Sequence, residues 1–315
     1  MEINYIVLAH KNPLQIKRLI KRLNAPNAYF YIHIDKSADI VPFQDVISDF
    51  SNVFFTPNEN REFGTWGDIG IVKATVFLLS QIIKDNRKGY SVLISGQDYP
   101  LHNNKFIENF FELNYGNNFI ALYPLPHYGW GEKGGLERLE YYKINLSKQR
   151  LDFVMIPYIL DKDFYQKKTL IALSKILKKG KKTDLLKIFR NRKLKLNIAP
   201  YGGGQWWAFP IETCIEIVNF INKNPSYLKF HESSLLPDEM FFHSILMYIK
   251  ENNDTTIKPS ITYVNWERQN SPLPVTFTSD DIRELNEASS SKLFARKFDI
   301  EIDEEIMNYL DKKSN

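Results

Sequence analysis

The stretch Tyr5-Ile6-Val7-Leu8-Ala9 is a short apolar run, and its relation to the segments that follow decides the fold of the chain. A basic stretch with helical apolar spacing begins at Asn12-Pro13, and two more apolar runs occupy residues 28–34 and 52–56. Short apolar strands that alternate with helical segments are typical of βαβ units, whose parallel sheet is covered on both faces. The sequence therefore predicts an α/β protein with a mostly parallel sheet flanked by helices.

The ends of the predicted strands are the first places to look for function, because sites in such sheets form at the carboxyl ends of strands. Asp35 lies at one of these ends, where its carboxylate can bond a ribose hydroxyl or a base N–H. An Asp close to a Ser, here Ser37, is equally common at the start of a helix, so both interpretations stay open. The chain carries neither the G-x-G-x-x-G pattern after its first strand nor a P-loop lysine motif.

A second candidate edge follows the predicted strand at residues 90–95, where the chain continues as Ser95-Gly96-Gln97-Asp98-Tyr99-Pro100. Many nucleotide-sugar enzymes carry a D-x-D metal site at this place, but only Asp98 is present here. The pattern does occur at Asp161-Lys162-Asp163, beyond the predicted sheet. Since a pattern of three residues recurs by chance, we do not expect a metal site there.

Composition sets wide limits on the class of protein. The 315 residues are 43% hydrophobic and 14% aromatic, which allows a sizeable core, and a net charge of +4 gives no indication of a nucleic-acid partner. The single cysteine, Cys214, excludes an intrachain disulfide. The N-terminus lacks the basic region of an ordinary signal peptide, and no apolar run is long enough to span a membrane. We therefore expect a cytoplasmic protein.

A lysine-rich stretch covers residues 162–195. Its apolar residues have the spacing of an amphipathic helix, so the simplest interpretation is a solvated basic face. The alternative is a patch that binds an anionic membrane peripherally at its inner face, where a lipid-linked acceptor is presented.

Two later segments carry unusual side chains. Gly202-Gly203-Gly204-Gln205-Trp206-Trp207 is either a tight turn into a strand or a sugar site, because glycines let a backbone approach a ligand and indole matches the apolar face of a pyranose. Pro237-Asp238-Glu239 precedes an apolar helical run. Acidic residues are common in the first turn of a helix, where they interact favourably with the helix dipole. Glu239 at a pocket mouth is also suited to act as a general base. As a hydrolase pair, Asp238 and Glu239 have poor geometry, because adjacent helical residues point about 100° apart.

The last part of the chain predicts a helix capped by Ser279 and then reaches Arg296-Lys297 beside aromatic residues. Two adjacent cations can neutralise phosphates, or they can form ion pairs with the acidic residues from Asp299 onward. The local pattern alone does not separate these alternatives.

Several of these motifs, each weak alone, occur in a specific order and spacing. They are His10, Tyr31-Ile32-His33-Ile34-Asp35-Lys36-Ser37, Phe63-Gly64-Thr65-Trp66, Leu93-Ile94-Ser95-Gly96-Gln97-Asp98-Tyr99-Pro100-Leu101, Gly204-Gln205-Trp206-Trp207, Pro237-Asp238-Glu239, Val264-Asn265-Trp266 and Leu293-Phe294-Ala295-Arg296-Lys297-Phe298-Asp299. Taken together they resemble the core-2/I-branching enzyme family (glycosyltransferase family 14). These are inverting enzymes that include β-1,6-N-acetylglucosaminyltransferases and peptide O-xylosyltransferases.

The resemblance implies a single domain of the GT-A type, in which a Rossmann-like nucleotide-binding sheet is merged with an acceptor-binding part. Residues 1–125 would form the nucleotide-sugar-binding part, and residues 126–315 the acceptor and catalytic part. It implies that Glu239 is the catalytic base. The donor-binding residues would be Val7, Asp35, Phe63, Asp98, Arg296 and Lys297, and the acceptor-binding residues Gln205, Trp206, Trp266 and Arg138.

The function implied by the resemblance is transfer of N-acetylglucosamine from a UDP-sugar to a hydroxyl of a glycan or lipid-linked oligosaccharide, without a metal or other cofactor. The alternatives are xylose as the donor sugar, or a non-catalytic sugar-binding protein of the same fold. One departure matters. A second phosphate-binding cation of the family would fall near Ser271-Pro272-Leu273-Pro274, where no cationic side chain exists. Arg268 and Arg296 are the substitutes considered.

Overall fold

The computed structural model describes residues 1–193, 196–252 and 256–313. The strands, numbered in chain order, are β1 (Ile3–Ala9), β2 (Ala28–Ile34), β3 (Val53–Phe55), β4 (Tyr90–Ser95), β5 (Asp98–Pro100), β6 (Asn118–Ile120), β7 (Tyr123–Pro124), β8 (Tyr142–Asn145), β9 (Phe153–Ile156), β10 (Tyr201–Gly202), β11 (Trp207–Pro210), β12 (Ile257–Lys258), β13 (Thr262–Val264) and β14 (Phe294–Arg296).

The helices are α1 (Pro13–Leu23), α2 (Val41–Val46), α3 (Gly70–Lys84), α4 (Asn104–Leu113), α5 (Glu137–Glu140), α6 (Lys167–Lys178), α7 (Ile211–Lys223), α8 (Pro225–His231), α9 (Phe241–Asn252), α10 (Ile282–Ala288) and α11 (Glu305–Lys313). Short 3₁₀ turns lie at Asn58–Asn60, Lys162–Tyr165, Lys182–Phe189, Pro237–Glu239 and Ser279–Asp281.

The central sheet has the strand order β12-β6-β11-β4-β1-β2-β3. Neighbouring strands are parallel except at β11, which runs antiparallel to both β4 and β6. The predicted mixed α/β fold with a mostly parallel sheet flanked by helices is confirmed. Because β11 and β12 come from the part of the chain after residue 125, the sheet is completed by strands from both predicted parts.

Two apolar cores cover the two faces of this sheet. Its strands therefore show little alternation of apolar and polar residues. Helix α1 buries Ile16, Leu19 and Ile20 in one core, together with residues of β13, β14 and α11. Helices α3, α7 and α9 form the other core, in which Cys214 is fully buried. A third, smaller core joins the β8–β9 hairpin to α6, so this basic segment has an apolar centre of its own.

Two expectations need local corrections. The predicted cap Ser279 does not start its helix. Thr278 and Asp281 form a capping box there, while the Ser279 hydroxyl donates to Asp303 at 2.9 Å. The predicted first turn of the helix at Pro237 is a separate 3₁₀ turn, and α9 begins at Phe241. Among the described residues, no helix combines the length and the hydropathy that a membrane crossing requires.

Candidate active site

One edge of the central sheet collects the residues of interest. Strands β1, β2 and β4 are parallel, so their carboxyl ends at Ala9, Ile34 and Ser95 meet at this edge. Strand β11 runs in the opposite direction, so its first residues lie there too. Loops at this edge of an open α/β sheet form its usual ligand crevice, and we take it as the candidate site.

Glu239 reaches this edge on the 3₁₀ turn Pro237–Glu239. Two backbone hydrogen bonds place the turn: Leu235 N–H donates to Arg138 O at 3.3 Å, and Leu236 N–H donates to Gly67 O at 3.1 Å. Leu236 has a φ of 51°. This left-handed conformation is costly for a leucine and persists because the surrounding bonds hold it.

Arg192 anchors the chain just before this turn. Its buried guanidinium donates to Ser233 O and Ser234 Oγ, both at 2.9 Å, as well as to Phe230 O and Tyr141 O. Burial lowers the pKa of Arg192 to about 10. The sequence placed this residue in a solvated basic face, whereas in the structure it is a buried support for the segment that carries Glu239.

The Glu239 carboxylate forms an ion pair with Arg138, whose Nη1 lies 2.6 Å from Glu239 Oε2. The Glu239 side chain is 26% exposed, so it is partly open to solvent. Arg138 is held in turn against the Trp130 ring, with Cζ 4.4 Å from the ring centroid. Burial raises the pKa of Glu239, and Arg138 opposes that shift without cancelling it. A partly exposed carboxylate with a raised pKa is suited to take a proton.

Asp238 differs from its neighbour because its side chain is buried. Burial first, and then the charge of Glu239, raise the pKa of Asp238 to about 7. An acid that is buried this deeply beside a second carboxylate resists ionisation. Asp238 therefore stabilises the turn best when it is protonated, and Glu239 is the member of the pair that faces the site.

Residues 202–206 connect Glu239 with the C-terminal cations. Gly203 N–H donates to Glu239 O at 2.9 Å. A Cβ on Gly203 would lie 1.8 Å from Ala121 O, so only glycine fits this close approach of two backbones. At the other end of the segment the Trp206 ring stacks against Arg296, with Cζ 4.0 Å from the ring centroid. Gly203 is thus needed for the packing of two backbone segments. Gln205 Nε2 has no hydrogen-bond partner among the described residues.

Asp98 is fully buried and holds Arg296 in place. Its Oδ1 lies 3.2 Å from Arg296 Nη1 and accepts a hydrogen bond from Ser95 Oγ, while Oδ2 accepts one from Ser95 N–H. Strands β5 and β14 pair Asp98 with Arg296 directly. Because the carboxylate has no exposed surface, we revise its expected donor-binding role to that of a residue that orients Arg296.

Lys297 follows Arg296 at the end of β14, partly exposed at the same edge. Burial lowers the pKa of its ammonium, and the positive charges of Arg296 and Arg150 lower it further. Among the described residues, no carboxylate lies within ion-pair distance of Lys297. This part of the site therefore has more positive than negative charge and would favour an anionic ligand.

Asp35 ties the end of β2 to the loop at residues 62–68. One oxygen accepts hydrogen bonds from Ser37 N–H at 2.8 Å and Ser37 Oγ at 2.5 Å, and the other accepts from Gly64 N–H at 2.6 Å. Although burial acts in the opposite direction, these bonds hold the pKa of Asp35 below its ordinary value. Phe63, on the same loop, is 46% exposed and can stack on a flat ring.

The remaining expected site residues divide into one accessible and one buried side chain. Trp266 follows β13 and is 59% exposed, so it can meet a ligand. Val7 lies in the middle of β1, where its backbone is paired on both sides and its side chain has 0% exposure. We therefore correct its expected role as a donor contact to that of a core residue.

The D-x-D pattern has a structural explanation. Asp161 accepts a hydrogen bond from Asp163 N–H at 2.9 Å and thereby caps a 3₁₀ turn. Asp163 pairs with Lys133 at 2.8 Å and accepts from Tyr141 Oη at 2.5 Å. Both carboxylates are thus used within the protein. In the part of the chain that the structure describes, no group of three or more His, Cys, Asp or Glu side chains is placed to hold a metal ion.

Sequence comparison bears on what this site does. The family model described as Branch, Core-2/I-Branching enzyme, matches residues 3–290. The chain belongs to the core-2/I-branching enzyme family. Among curated relatives, xylosyltransferase 2 of Homo sapiens is 22% identical over 334 residues, covering 99% of this chain and 33% of that protein. The xylosyltransferase of Ciona intestinalis is also 22% identical, over 335 residues, covering 99% of this chain and 34% of its own length.

The family assignment made from the ordered motifs is therefore confirmed. This core-2/I-branching chain spans about a third of the length of the relatives it matches. Among solved structures, apo mouse xyloside xylosyltransferase 1 aligns over 94% of this chain and 97% of its own, with 10% identity and a TM-score of 0.37. A likeness that weak adds nothing to the assignment.

Proposed function

We propose that this protein is a metal-independent, inverting glycosyltransferase that moves a sugar from a UDP-sugar to a hydroxyl of a glycan or lipid-linked acceptor. The observation that carries the proposal is the position of Glu239. Its partly open carboxylate, with a raised pKa, lies on a turn that residues 203–206 connect to Arg296 and Lys297. A base and a cationic centre on one sheet edge are what such a transfer requires.

In the proposed reaction the Glu239 carboxylate takes the proton of the acceptor hydroxyl. The oxygen then attacks the anomeric carbon of the donor from the face opposite the nucleotide. The bond between that carbon and the phosphate oxygen breaks, and its electron pair leaves with UDP. A donor with an α linkage gives a β-linked product, because attack and departure occur on opposite faces. Arg138 holds the carboxylate in position for the proton transfer.

Negative charge grows on the diphosphate as the bond breaks, so cations at that point stabilise the transition state. Lys297 is the main candidate, with Arg296 fixed beside it by Asp98 and Trp206. In many nucleotide-sugar enzymes a metal ion does this work. Here both oxygens of Asp98 and of Asp163 bind protein partners, and Asp161 caps a 3₁₀ turn, which supports a mechanism without a metal. Full activity in excess EDTA is the expected result, and strict dependence on Mn²⁺ would contradict it.

For the donor sugar we propose N-acetylglucosamine, which the family resemblance implies, with xylose as the alternative. The xylosyltransferase names of the relatives favour the alternative. The uracil and ribose would lie near Asp35 and Phe63, and the acceptor near Trp266, Gln205 and Trp206. The hydroxyl that accepts the sugar would have to come within hydrogen-bond reach of Glu239.

The experiment that tests the function is a panel of UDP-sugars scored in two ways. A donor that binds the folded protein raises its melting temperature, and turnover releases UDP when an acceptor is present. We expect one UDP-sugar to do both. Binding without UDP release over a broad acceptor panel would favour a non-catalytic sugar-binding protein, and the absence of any UDP-sugar binding would contradict the proposal altogether.

We further propose a cytoplasmic location with peripheral contact to an anionic membrane through the basic stretch. Helix α6 exposes three large apolar side chains, Leu170 at 58%, Ile171 at 49% and Leu177 at 50%. Exposed lysines at 167, 175 and 178 share that side of the helix, because all six residues fall within about 160° at 100° per residue. Mixed apolar and cationic faces bind anionic interfaces. Residues 194 and 195 of the predicted stretch lie outside the described residues.

Vesicle sedimentation tests this contact. We expect the protein to sediment with phosphatidylglycerol vesicles and not with phosphatidylcholine vesicles, and to lose that binding when Lys175 and Lys178 are both replaced by Glu. The control is the replacement of Lys21 by Glu, because Lys21 is an exposed lysine on α1, outside the basic stretch. Equal binding to both vesicle types, or no effect of the double replacement, would contradict the membrane proposal.

A further inference from the structure

The β8–β9 hairpin, formed by residues 142–156, is clamped onto the loop at residues 62–68. Lys143 Nζ pairs with Asp68, and Asn145 Nδ2 donates to Asp68 Oδ2 at 2.6 Å. The Trp66 and Phe153 rings contact each other with centroids 5.9 Å apart. Because the same loop is bonded to Asp35 through Gly64, the hairpin has a defined position beside the donor side of the site.

The tip of this hairpin carries two exposed cations that lie over aromatic residues of the loop. Lys148 Nζ is 5.4 Å from the Phe63 ring centroid, and Arg150 Cζ is 5.6 Å from the Trp66 ring centroid. Cation–π contacts of this length contribute little free energy at an exposed site, so they orient the side chains without immobilising them. Neither cation is within ion-pair distance of a carboxylate among the described residues.

Arg150 also acts electrostatically on Lys297, since its positive charge helps to lower the pKa of that ammonium. Two like charges that interact across a partly buried space raise the free energy of the site. An anion between them would turn this repulsion into two attractions. The hairpin tip itself lies over the loop that is bonded to Asp35, on the donor side of the site.

Arg268 and Arg296, the two substitutes expected from the sequence, are each paired with a carboxylate, and so is Lys11. Arg268 Nη2 lies 2.6 Å from both Asp281 Oδ1 and Glu284 Oε2, so two carboxylates neutralise it. Arg296 is paired with Asp98 and stacked on Trp206. Lys11 is paired with Asp299 at 2.5 Å. Arg150 has no such partner and keeps its five N–H donors for a ligand.

Resting on the proposed use of a UDP-sugar, we propose that Arg150 at the tip of the β8–β9 hairpin is the second cation that binds the donor diphosphate, in addition to Lys297. A guanidinium can donate two parallel hydrogen bonds to phosphate oxygens, which a lysine cannot do. The contact is made by a hairpin tip, whereas the resemblance placed it in the segment before the last helices. This explains why no cation is needed at residues 271–274.

Calorimetric titration with UDP and with uridine tests the assignment, because uridine lacks the diphosphate. We expect Arg150→Ala to weaken UDP binding about tenfold or more while uridine binding changes less than about twofold, since charge-assisted hydrogen bonds to phosphate are lost. Arg150→Lys should recover part of the loss. Arg190→Ala, which removes an exposed arginine outside the hairpin, is the matched control and should bind UDP as the wild type does.

Three other outcomes are informative. UDP affinity unchanged in Arg150→Ala would overturn the assignment of Arg150 and leave the proposed function intact. An equal loss of UDP and uridine binding would also overturn it, because Arg150 would then act through the loop at residues 62–68 and not on phosphate. Failure of the wild type to bind UDP would overturn the proposed function itself, and the Arg150 assignment with it.

Discussion

The two halves of the candidate site handle charge in opposite ways. On the carboxylate side, Asp238 is buried and Glu239 is half-buried, and a single arginine partly compensates their negative charge. On the cation side, Lys297 and Arg150 are more open and lack carboxylate partners among the described residues. The first half has a raised affinity for protons, and the second has a raised affinity for anions. The difference shows where a proton and a phosphate are expected to go.

The largest expected effect comes from removing the base. Glu239→Gln keeps the size of the side chain but cannot accept the proton, so transfer should fall by at least about 100-fold. Measured UDP affinity should stay near that of the wild type, because the cation side is unaltered. Glu232→Gln, on the same segment but in a surface pair with Lys73, is the control. Transfer at a near-normal rate by the Glu239 variant would remove the functional distinction between the two halves.

The next effect tests the cation side. Lys297→Met keeps an apolar stem of similar length and removes the charge, so we expect UDP affinity and kcat each to fall about tenfold or more. Uridine binding should change little. The matched control is Lys21→Met, which removes one exposed positive charge from α1. A variant that lost uridine and UDP binding equally would show that Lys297 supports the fold of the pocket and not the phosphate.

A smaller effect sharpens the carboxylate side. Arg138 lowers the pKa of Glu239 against the effect of burial. Removing that charge in Arg138→Ala should raise the pKa of the base, so the acidic limb of the pH–kcat profile should move to higher pH. Activity would then be lost mostly at low pH and recovered in part at high pH. Arg138→Lys should return the limb toward its wild-type position, and a uniform loss at all pH values would instead indicate a role in acceptor binding.

The smallest effect concerns Asp238 and is measured as stability. Its pKa in the folded protein is about 7, above its ordinary value of 3.8. Between these values the folded state keeps a proton that the unfolded state has lost, so stability should fall as the pH rises from about 4 to about 7. Asp238→Asn removes this dependence.

Calorimetry is the measurement for Asp238. Between about pH 5 and about pH 8, the melting temperature of the Asn variant should fall by a few degrees less than that of the wild type. In domains somewhat smaller than this one, a change of about 1 kcal/mol in the free energy of unfolding shifts the melting temperature by about 2–4 °C. Parallel pH curves for the two proteins would mean that Asp238 ionises normally. In that case burial would no longer distinguish the acidic pair from the cations.

Much of the fold could be predicted because its signals are local. The apolar runs at residues 5–9 and 28–34 became β1 and β2, and the helical stretch that follows Asn12-Pro13 became α1. The family could also be predicted, since it depends on the order of short motifs. The cap at Ser279 was wrong because Thr278 and Ser279 are both good caps, and a contact with Asp303 decided between them.

The roles of individual side chains were less predictable. Asp98 and Val7 lie within motifs that pointed to the donor, yet both are fully buried. Arg192 lies in the stretch that was predicted to be a solvated basic face, and Arg150 lies in a segment that carried no motif. One supports the turn of Glu239, and the other lies over Trp66. Short-range sequence patterns do not contain the exposure or the charge environment of such residues.

By itself, the sequence determined the alternation of strands and helices, the family, and the presence of a carboxylate at 239 and a cation at 297. Only the tertiary structure decided that Arg138 pairs with Glu239, that Asp98 orients Arg296, and that a hairpin brings Arg150 to the donor side. The reason is distance along the chain. Apolar periodicity acts over a few residues, whereas the Arg138–Glu239 contact joins residues 101 positions apart. Such a contact exists only once the whole sheet and its loops have folded.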